Sequence, residues 1–159
     1  VASARYAPRG QRTIGGQLHA ASFHTDAATY YQRANDEILV VIMIEHVKAV
    51  EAADAILSVS GIDAFFIGPN DLHHSMGKKP AFDSDDQEYC DALKHVFAVG
   101  RKHGLASGIH VLDAAAAQRR IAEGYQFIAI ASETGMMLSK ARETADFLGL
   151  GSGRAAVKY

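Results

Sequence analysis

The sequence has one cysteine and no long apolar run, and each shortage removes a class of protein. With a single thiol, Cys90, the chain can build neither an internal disulfide nor a thiolate metal cluster, which points to a reducing, cytoplasmic setting. Cys90 itself falls in Glu88-Tyr89-Cys90-Asp91-Ala92-Leu93, which reads as ordinary amphipathic helix and not as the surroundings of a nucleophile. No stretch approaches the ~20 apolar residues that span a bilayer, and the first residues lack the basic-then-apolar order of a signal peptide. Lys and Arg number 16 against 18 Asp and Glu, a net charge of -2, and the basic residues are scattered. Neither a membrane nor a nucleic acid is an expected partner.

What the chain does have is 159 residues that are 48% hydrophobic, enough for one core. It opens on Val1 and not on methionine, which suggests a processed or partial product. From Leu39 to Leu148 short β-rich runs alternate with longer helical ones. The pattern predicts strands over Leu39–Ile44, Ile62–Ile67, Ala106–Val111 and Phe127–Ala131. Helices are predicted over Val47–Val59, Asp85–His103, an alanine-rich stretch capped by Asp113 and running to Glu123, and Ser132 or Glu133 to Leu148. Unbroken apolar strands between helices indicate a parallel sheet buried on both faces, in an α/β fold that is either doubly wound or half of a TIM barrel. Right-handed crossovers then set Glu45, Asp71, His110 and Ser132 on one rim.

Residues 1–37 read as an active-site loop plus a helix over Ala27–Ala34, residues 38–148 as four βα units, and residues 149–159 as a flexible tail or intersubunit arm. The glycines at 149, 151 and 153 follow a helix instead of a strand, which rejects a nucleotide loop. Met136-Met137 and Ala114–Ala117 are expected to be core and helix-packing residues.

Chemistry concentrates in Met43-Ile44-Glu45-His46 and Phe66-Ile67-Gly68-Pro69-Asn70-Asp71-Leu72, each with a carboxylate just past a strand. A hard divalent cation takes one or two carboxylates and completes its octahedron with water or substrate oxygens, so Glu45 and Asp71 suit it. The competing reading makes each a helix N-cap or first-turn acid stabilised by the macrodipole. Gly68-Pro69-Asn70 favours the site, because glycine lets a ligand approach the backbone and the amides of Asn70 and Asp71 can face an anion. Arg5, Arg9 and Arg12 could clamp a carboxylate or lie in a solvated loop. Gly15-Gly16 could line a pocket or turn the chain. His73 and His74 could be ligands or exposed loop residues, and His110, at a strand's end, could reach a ligand.

Taken together, Arg5-Tyr6-x-Pro8-x-Gly10-x-Arg12-x-x-Gly15, Ile44-Glu45, Gly61 to Leu72 with Ser75-Met76-Gly77, and Ser107-Gly108-Ile109 resemble the HpcH/HpaI aldolases over roughly Arg5 to Leu148. The resemblance implies a TIM barrel and a metal-dependent, pyruvate-specific class II aldolase, of which this chain is the C-terminal half. It implies that Glu45 and Asp71 hold Mg²⁺, Mn²⁺ or Co²⁺, and that Gly16, Gly68, Pro69, Asn70, Asp71 and His110 line the oxoacid site. The reaction implied is cleavage or formation of a 4-hydroxy-2-oxoacid, giving pyruvate and an aldehyde through a metal-stabilised enolate. A small oxoacid is then the expected partner.

Three positions depart from the family: Met43 where glutamine is common, His46 where threonine is, and His110 where leucine is. The family barrel has about 250 residues in eight βα units. Its acid/base histidine and pyruvate-binding arginine therefore belong upstream of this chain, and no catalytic residue is assigned within it. A half-barrel exposes sheet edges, so a homo-oligomer is expected. Two other readings stay open: a non-catalytic metal- or oxoacid-binding module that needs a partner chain, and a citrate-lyase-like acyl-CoA lyase.

Overall fold

Four strands make one parallel sheet in the order β1 (Val41–Ile44), β2 (Ala64–Ile67), β3 (Ala106–Val111), β4 (Phe127–Ile130), as seen in a computed structural model that describes residues 1–150. The helices are α1 (Leu18–Ala21), α2 (Ala27–Glu37), α3 (Val47–Glu51), α4 (Ala53–Leu57), α5 (Pro69–Ser75), α6 (Gln87–Lys102), α7 (Ala114–Glu123) and α8 (Glu133–Phe147). Every strand pair is parallel, with Ile44 beside Ile67, Ile67 beside Ile109 and Ile109 beside Ile128.

That isoleucine row divides the sheet into two unlike faces. Ile44, Phe65, Ile67, Ile109 and Val111 point into a core completed by Val50, Ala53, Leu57, Leu72, Tyr89, Leu93, Val96, Ala116, Ala117 and Tyr125, most of them supplied by α3, α4, α6 and α7. Residues one step along each strand point the other way. Met43, Phe66, Gly108 and Phe127 form a row in which Met43 and Phe127 are exposed and Phe66 is half-buried against Phe127. The sheet is thus covered by helices on one face only, a correction to the expectation of two covered faces. Helices on one side of a parallel sheet are the wall of a barrel, not a doubly wound layer.

Several elements differ from the sequence pattern. The helix expected over Val47–Val59 is two short ones, because Ala52 sits at φ -93°, ψ 13° and redirects the chain so that Ala53 and Leu57 are buried. The polar stretch after Gly68 contains α5, with Pro69 in its first turn, where the missing N–H costs no hydrogen bond. Met136 and Met137 are exposed and α8 buries none of its residues, so the core role expected for them is wrong, while Ala116 and Ala117 are buried as expected. Residues 151–159, most of the expected tail, lie outside the described residues. Among the described residues no helix is long and apolar enough to cross a membrane.

Candidate functional site

All strands run the same way, so the residues that leave their carboxyl ends meet on one rim. Beyond the isoleucine row the inward direction passes to Glu45 after β1, Gly68 after β2, His110 on β3 and Ala129 on β4. A Cβ built on Gly68 would lie 2.7 Å from Glu45 Oε2, 3.1 Å from Glu45 Cβ and 3.2 Å from Met43 Cε. The Glu45 carboxylate therefore lies across the glycine, at the foot of the turn that carries Asp71.

Neither acid is a helix N-cap, although Asp71 lies in the first turn of α5, where the macrodipole favours a carboxylate. Five helices begin with a side-chain cap: Asp26 receives Thr29 N–H, His46 Lys48 N–H, Asp86 Tyr89 N–H, Asp113 Ala116 N–H and Ser132 Gly135 N–H. The residue before α3 is His46, not Glu45, and the N-cap of α5 is Gly68, with no side-chain bond. Among the described residues no hydrogen bond or ion pair involves the Glu45 or Asp71 carboxylate. Carboxylates ordinarily collect N–H donors when they serve a structural purpose.

The first turn of α5 adds donors of the opposite sign. Pro69 has no N–H, and Leu72 N–H already donates to Gly68 O at 3.0 Å. The amides of Asn70 and Asp71 are therefore the ones that precede the helical ladder and lack a helical acceptor. Pro69 and Gly68 are buried beneath them. Hard carboxylate oxygens beside a groove that a methyl group would fill suit a divalent cation of the Mg²⁺ type, which needs only one or two protein carboxylates. Among the described residues no group of three or more His, Cys, Asp and Glu comes together, so no histidine-rich cage is present among them.

The turns holding the two acids are joined through Ser75. Its Oγ accepts from Val47 N–H at 3.0 Å and donates to Leu72 O at 2.8 Å. His73 is buried, its Nδ1–H donating to Pro69 O at 2.8 Å and its ring stacked 3.9 Å from that of Tyr89, so it braces α5 from inside the core. Burial pushes the Tyr89 phenol up and that of Tyr125, behind it, up to about 12. His74 is exposed. On the far side of Gly68, His110 Nε2–H donates to Ala131 O at 2.9 Å, and the Phe82 ring meets the imidazole edge-on at 4.8 Å. The loop carrying Phe82 is anchored by Asp83, which pairs with Arg119 and Arg120 on α7. Lys78 closes the same loop on Asp86 and Glu88, whose carboxylates raise its pKa.

Other candidates lie elsewhere. Arg5 donates to Asn35 O and pairs with Asp63 at 3.4 Å, and Asp63 in turn receives Val40 N–H at 2.6 Å, at the amino ends of β1 and β2. Arg9 pairs with Asp36, and the Arg12 guanidinium lies 4.8 Å from the centre of the Tyr6 ring. The carboxylate clamp considered for these arginines is corrected accordingly: their partners are within the chain, and those of Arg5 sit at the opposite end of the sheet. Gly16 has φ +78°, its carbonyl accepts from Tyr31 Oη on α2, and a Cβ there would meet nothing within 4 Å. Sequence reasoning missed Phe82, which a polar loop conceals, and the linking role of Ser75, which lay inside the quoted motif.

Comparison with known proteins gives a consistent picture. A 5-keto-4-deoxy-D-glucarate aldolase of Shigella dysenteriae serotype 1 is 34% identical over 146 residues, 92% of this chain and 56% of that protein. An HpcH/HpaI aldolase/citrate lyase family protein from Burkholderia cenocepacia J2315 superposes with a TM-score of 0.78 at 29% identity, over 92% of this chain and 57% of the other. The HpcH/HpaI aldolase of Desulfitobacterium hafniense DCB-2 also gives 0.78, at 27% identity, over 98% and 60%. The chain thus spans a little over half the length of the relatives it matches, and its sheet is part of a TIM barrel. The sequence pattern of the HpcH/HpaI aldolase/citrate lyase family matches residues 1–140, and the chain belongs to that family.

Proposed function

We propose that this chain carries the metal- and oxoacid-binding part of a carbon–carbon lyase that cleaves or forms 4-hydroxy-2-oxoacids, with pyruvate and an aldehyde as the other side of the reaction. The observation that carries the reading is the Glu45–Asp71 pair: two carboxylates without partners among the described residues, on the turns that follow adjacent strands, with one lying across a glycine. The family's aldolases and lyases support the reaction class, and the relative acting on 5-keto-4-deoxy-D-glucarate supports an oxoacid of sugar-acid type.

Glu45 and Asp71 would hold Mg²⁺, Mn²⁺ or Co²⁺. When bound, such a cation polarises the keto oxygen of the substrate and offsets the negative charge released as the C3–C4 bond breaks. The amides of Asn70 and Asp71 receive the substrate carboxylate, with Gly68 and Pro69 keeping the approach free of side chains. In the cleavage direction the C4 hydroxyl gives up its proton, the bond pair passes to C3, and C3 then takes a proton to yield pyruvate. The Met43 thioether methyl and the Glu45 carboxylate both lie against Gly68, so an apolar group borders the groove. His110 and Phe82 bound the side on which the aldehyde portion leaves.

The test is Mn²⁺ binding and pyruvate release by the full-length protein and by its Glu45→Gln and Asp71→Asn variants. Loss of both properties in each variant is expected. Unchanged metal affinity and turnover in either would sink the assignment.

A further inference from the structure

Glu45 and Asp71 ride on separate turns, one after β1 and the other in α5, and two carboxylates can share one cation only while those turns keep a fixed spacing. Strand pairing fixes the strands up to Ile44 and Ile67 but stops there. Past that point the turns need a connection of their own.

Ser75 supplies it. Its hydroxyl donates to the carbonyl of Leu72, the residue after Asp71, and accepts from the amide of Val47, the second residue after Glu45, at 2.8 and 3.0 Å. Among the described residues this is the only side-chain hydrogen bond between residues 45–48 and residues 69–75. The Val47 amide belongs to the first turn of α3, so it has no helical acceptor, and Ser75 caps it from another element. His46, the residue that begins α3, uses its Nδ1 on Lys48 N–H instead. A hydroxyl is suited to the position because it donates and accepts at once, and it is half-buried here, where water competes less for either bond.

We propose that Ser75 is a positioning residue for divalent-cation binding: it sets the separation of the Glu45 and Asp71 carboxylates by tying their turns together. The inference rests on the metal reading above, and the experiment separates the two. Mn²⁺ affinity is measured by the paramagnetic resonance of the free ion, well below the melting temperature, in the full-length wild-type protein and in Ser75→Ala, Ser75→Thr and Glu45→Gln. Hydrogen exchange at the Val47 amide is followed in the metal-free protein.

Ser75→Ala is expected to weaken Mn²⁺ binding about tenfold, the scale of a lost partner behind a metal ligand, and to speed Val47 exchange. Ser75→Thr, which keeps the hydroxyl, is expected to restore both. Should the alanine variant not fold, Ser75→Cys, with its weaker hydrogen bonds, replaces it in the comparison. Wild-type Mn²⁺ affinity in Ser75→Ala, alongside lost affinity in Glu45→Gln, overturns the positioning role and leaves the metal site standing. A lowered melting temperature with unchanged affinity does the same. Wild-type affinity in Glu45→Gln overturns the metal reading and this inference with it.

Discussion

His110 Nε2–H donates to the carbonyl oxygen of Ala131 at 2.9 Å, tying the last turn of β3 to the residue that leaves β4. Ala131 has φ +51°, a left-handed conformation that costs a side-chain-bearing residue about 1–2 kcal/mol, and its own N–H donates to Val111 O at 2.7 Å. With both backbone groups engaged the strained turn is held in place. The bond also selects the tautomer of the neutral ring, because a nitrogen that donates to a carbonyl carries the proton and Nδ1 is then the acceptor.

Exchange of His110 for leucine therefore removes both the anchor and the acceptor. A lost hydrogen bond of about 1 kcal/mol corresponds to roughly fivefold in an equilibrium. His110→Leu is expected to change KM for the oxoacid by about that factor with Mn²⁺ affinity unaltered, since Glu45 follows β1 and Asp71 lies in α5. A steady-state comparison with a metal titration checks it. An equal loss of metal affinity would show that the rim does not divide in this way.

Gly68→Ala tests the groove beneath Glu45. The backbone of Gly68, at φ -96° and ψ 95°, is open to any residue, so the conflict is the new methyl group, 2.7 Å from the free end of the Glu45 side chain, with tighter-than-usual contacts of 3.1 Å to Glu45 Cβ and 3.2 Å to Met43 Cε. A terminal carboxylate can swing aside. Stability should fall by less than about 1 kcal/mol while Mn²⁺ affinity drops about tenfold or more, read from a melting curve and a binding titration on the same sample.

Gly100→Ala makes the opposite case. Its Cβ would come within 2.1 Å of Phe65 Cε1 and 2.8 Å of Cζ, and Phe65 is wholly buried under α6. Overpacking a core costs about 1–3 kcal/mol, against a gain of up to about 1 kcal/mol for replacing glycine within a helix. The clash wins. A net loss of about 1–2 kcal/mol is expected in denaturant unfolding, with metal affinity of the folded protein unchanged.

The alkaline limb of stability should depend on the tyrosines of the core. Burial pushes Tyr125 up to about 12 and also raises Tyr89, whereas an unfolded phenol titrates near 10. Between those values the unfolded chain holds fewer protons than the folded one. The stability present below about pH 10 is therefore lost as pH rises toward 12. Tyr125→Phe should flatten that loss, and phenolate absorbance from Tyr125 should appear together with unfolding and not before it.

The strands were legible because each is a short apolar run between helical segments, although β1 and β4 are only partly buried. Ala106–Val111 matches residue for residue, and Asp113 and Ser132 cap the helices expected of them. Tertiary events were harder to see. Nothing in the apolar spacing of Val47–Val59 marks the break at Ala52, which arises where the chain turns Ala53 and Leu57 toward α6. Pro69 was a legible start for α5, but a strand ending in glycine and proline also looks like a loop. At the site, the acids of Glu45 and Asp71 could be picked out by their place after strands. The partners of Arg5 and Arg9 could not, because Asp63 and Asp36 lie 58 and 27 residues away along the chain. Ser75 shows the same limit, since Val47 is 28 residues before it.

The order β1-β2-β3-β4 has a consequence for how such a protein can diversify. Glu45, Asp71 and Ser75 all precede α6, while His110 and Ala131 follow it. The stretch with the two carboxylates and the stretch with His110 are thus consecutive blocks of the chain. Recombination near Leu105 would exchange the second block and leave the two carboxylates and their Ser75 link intact.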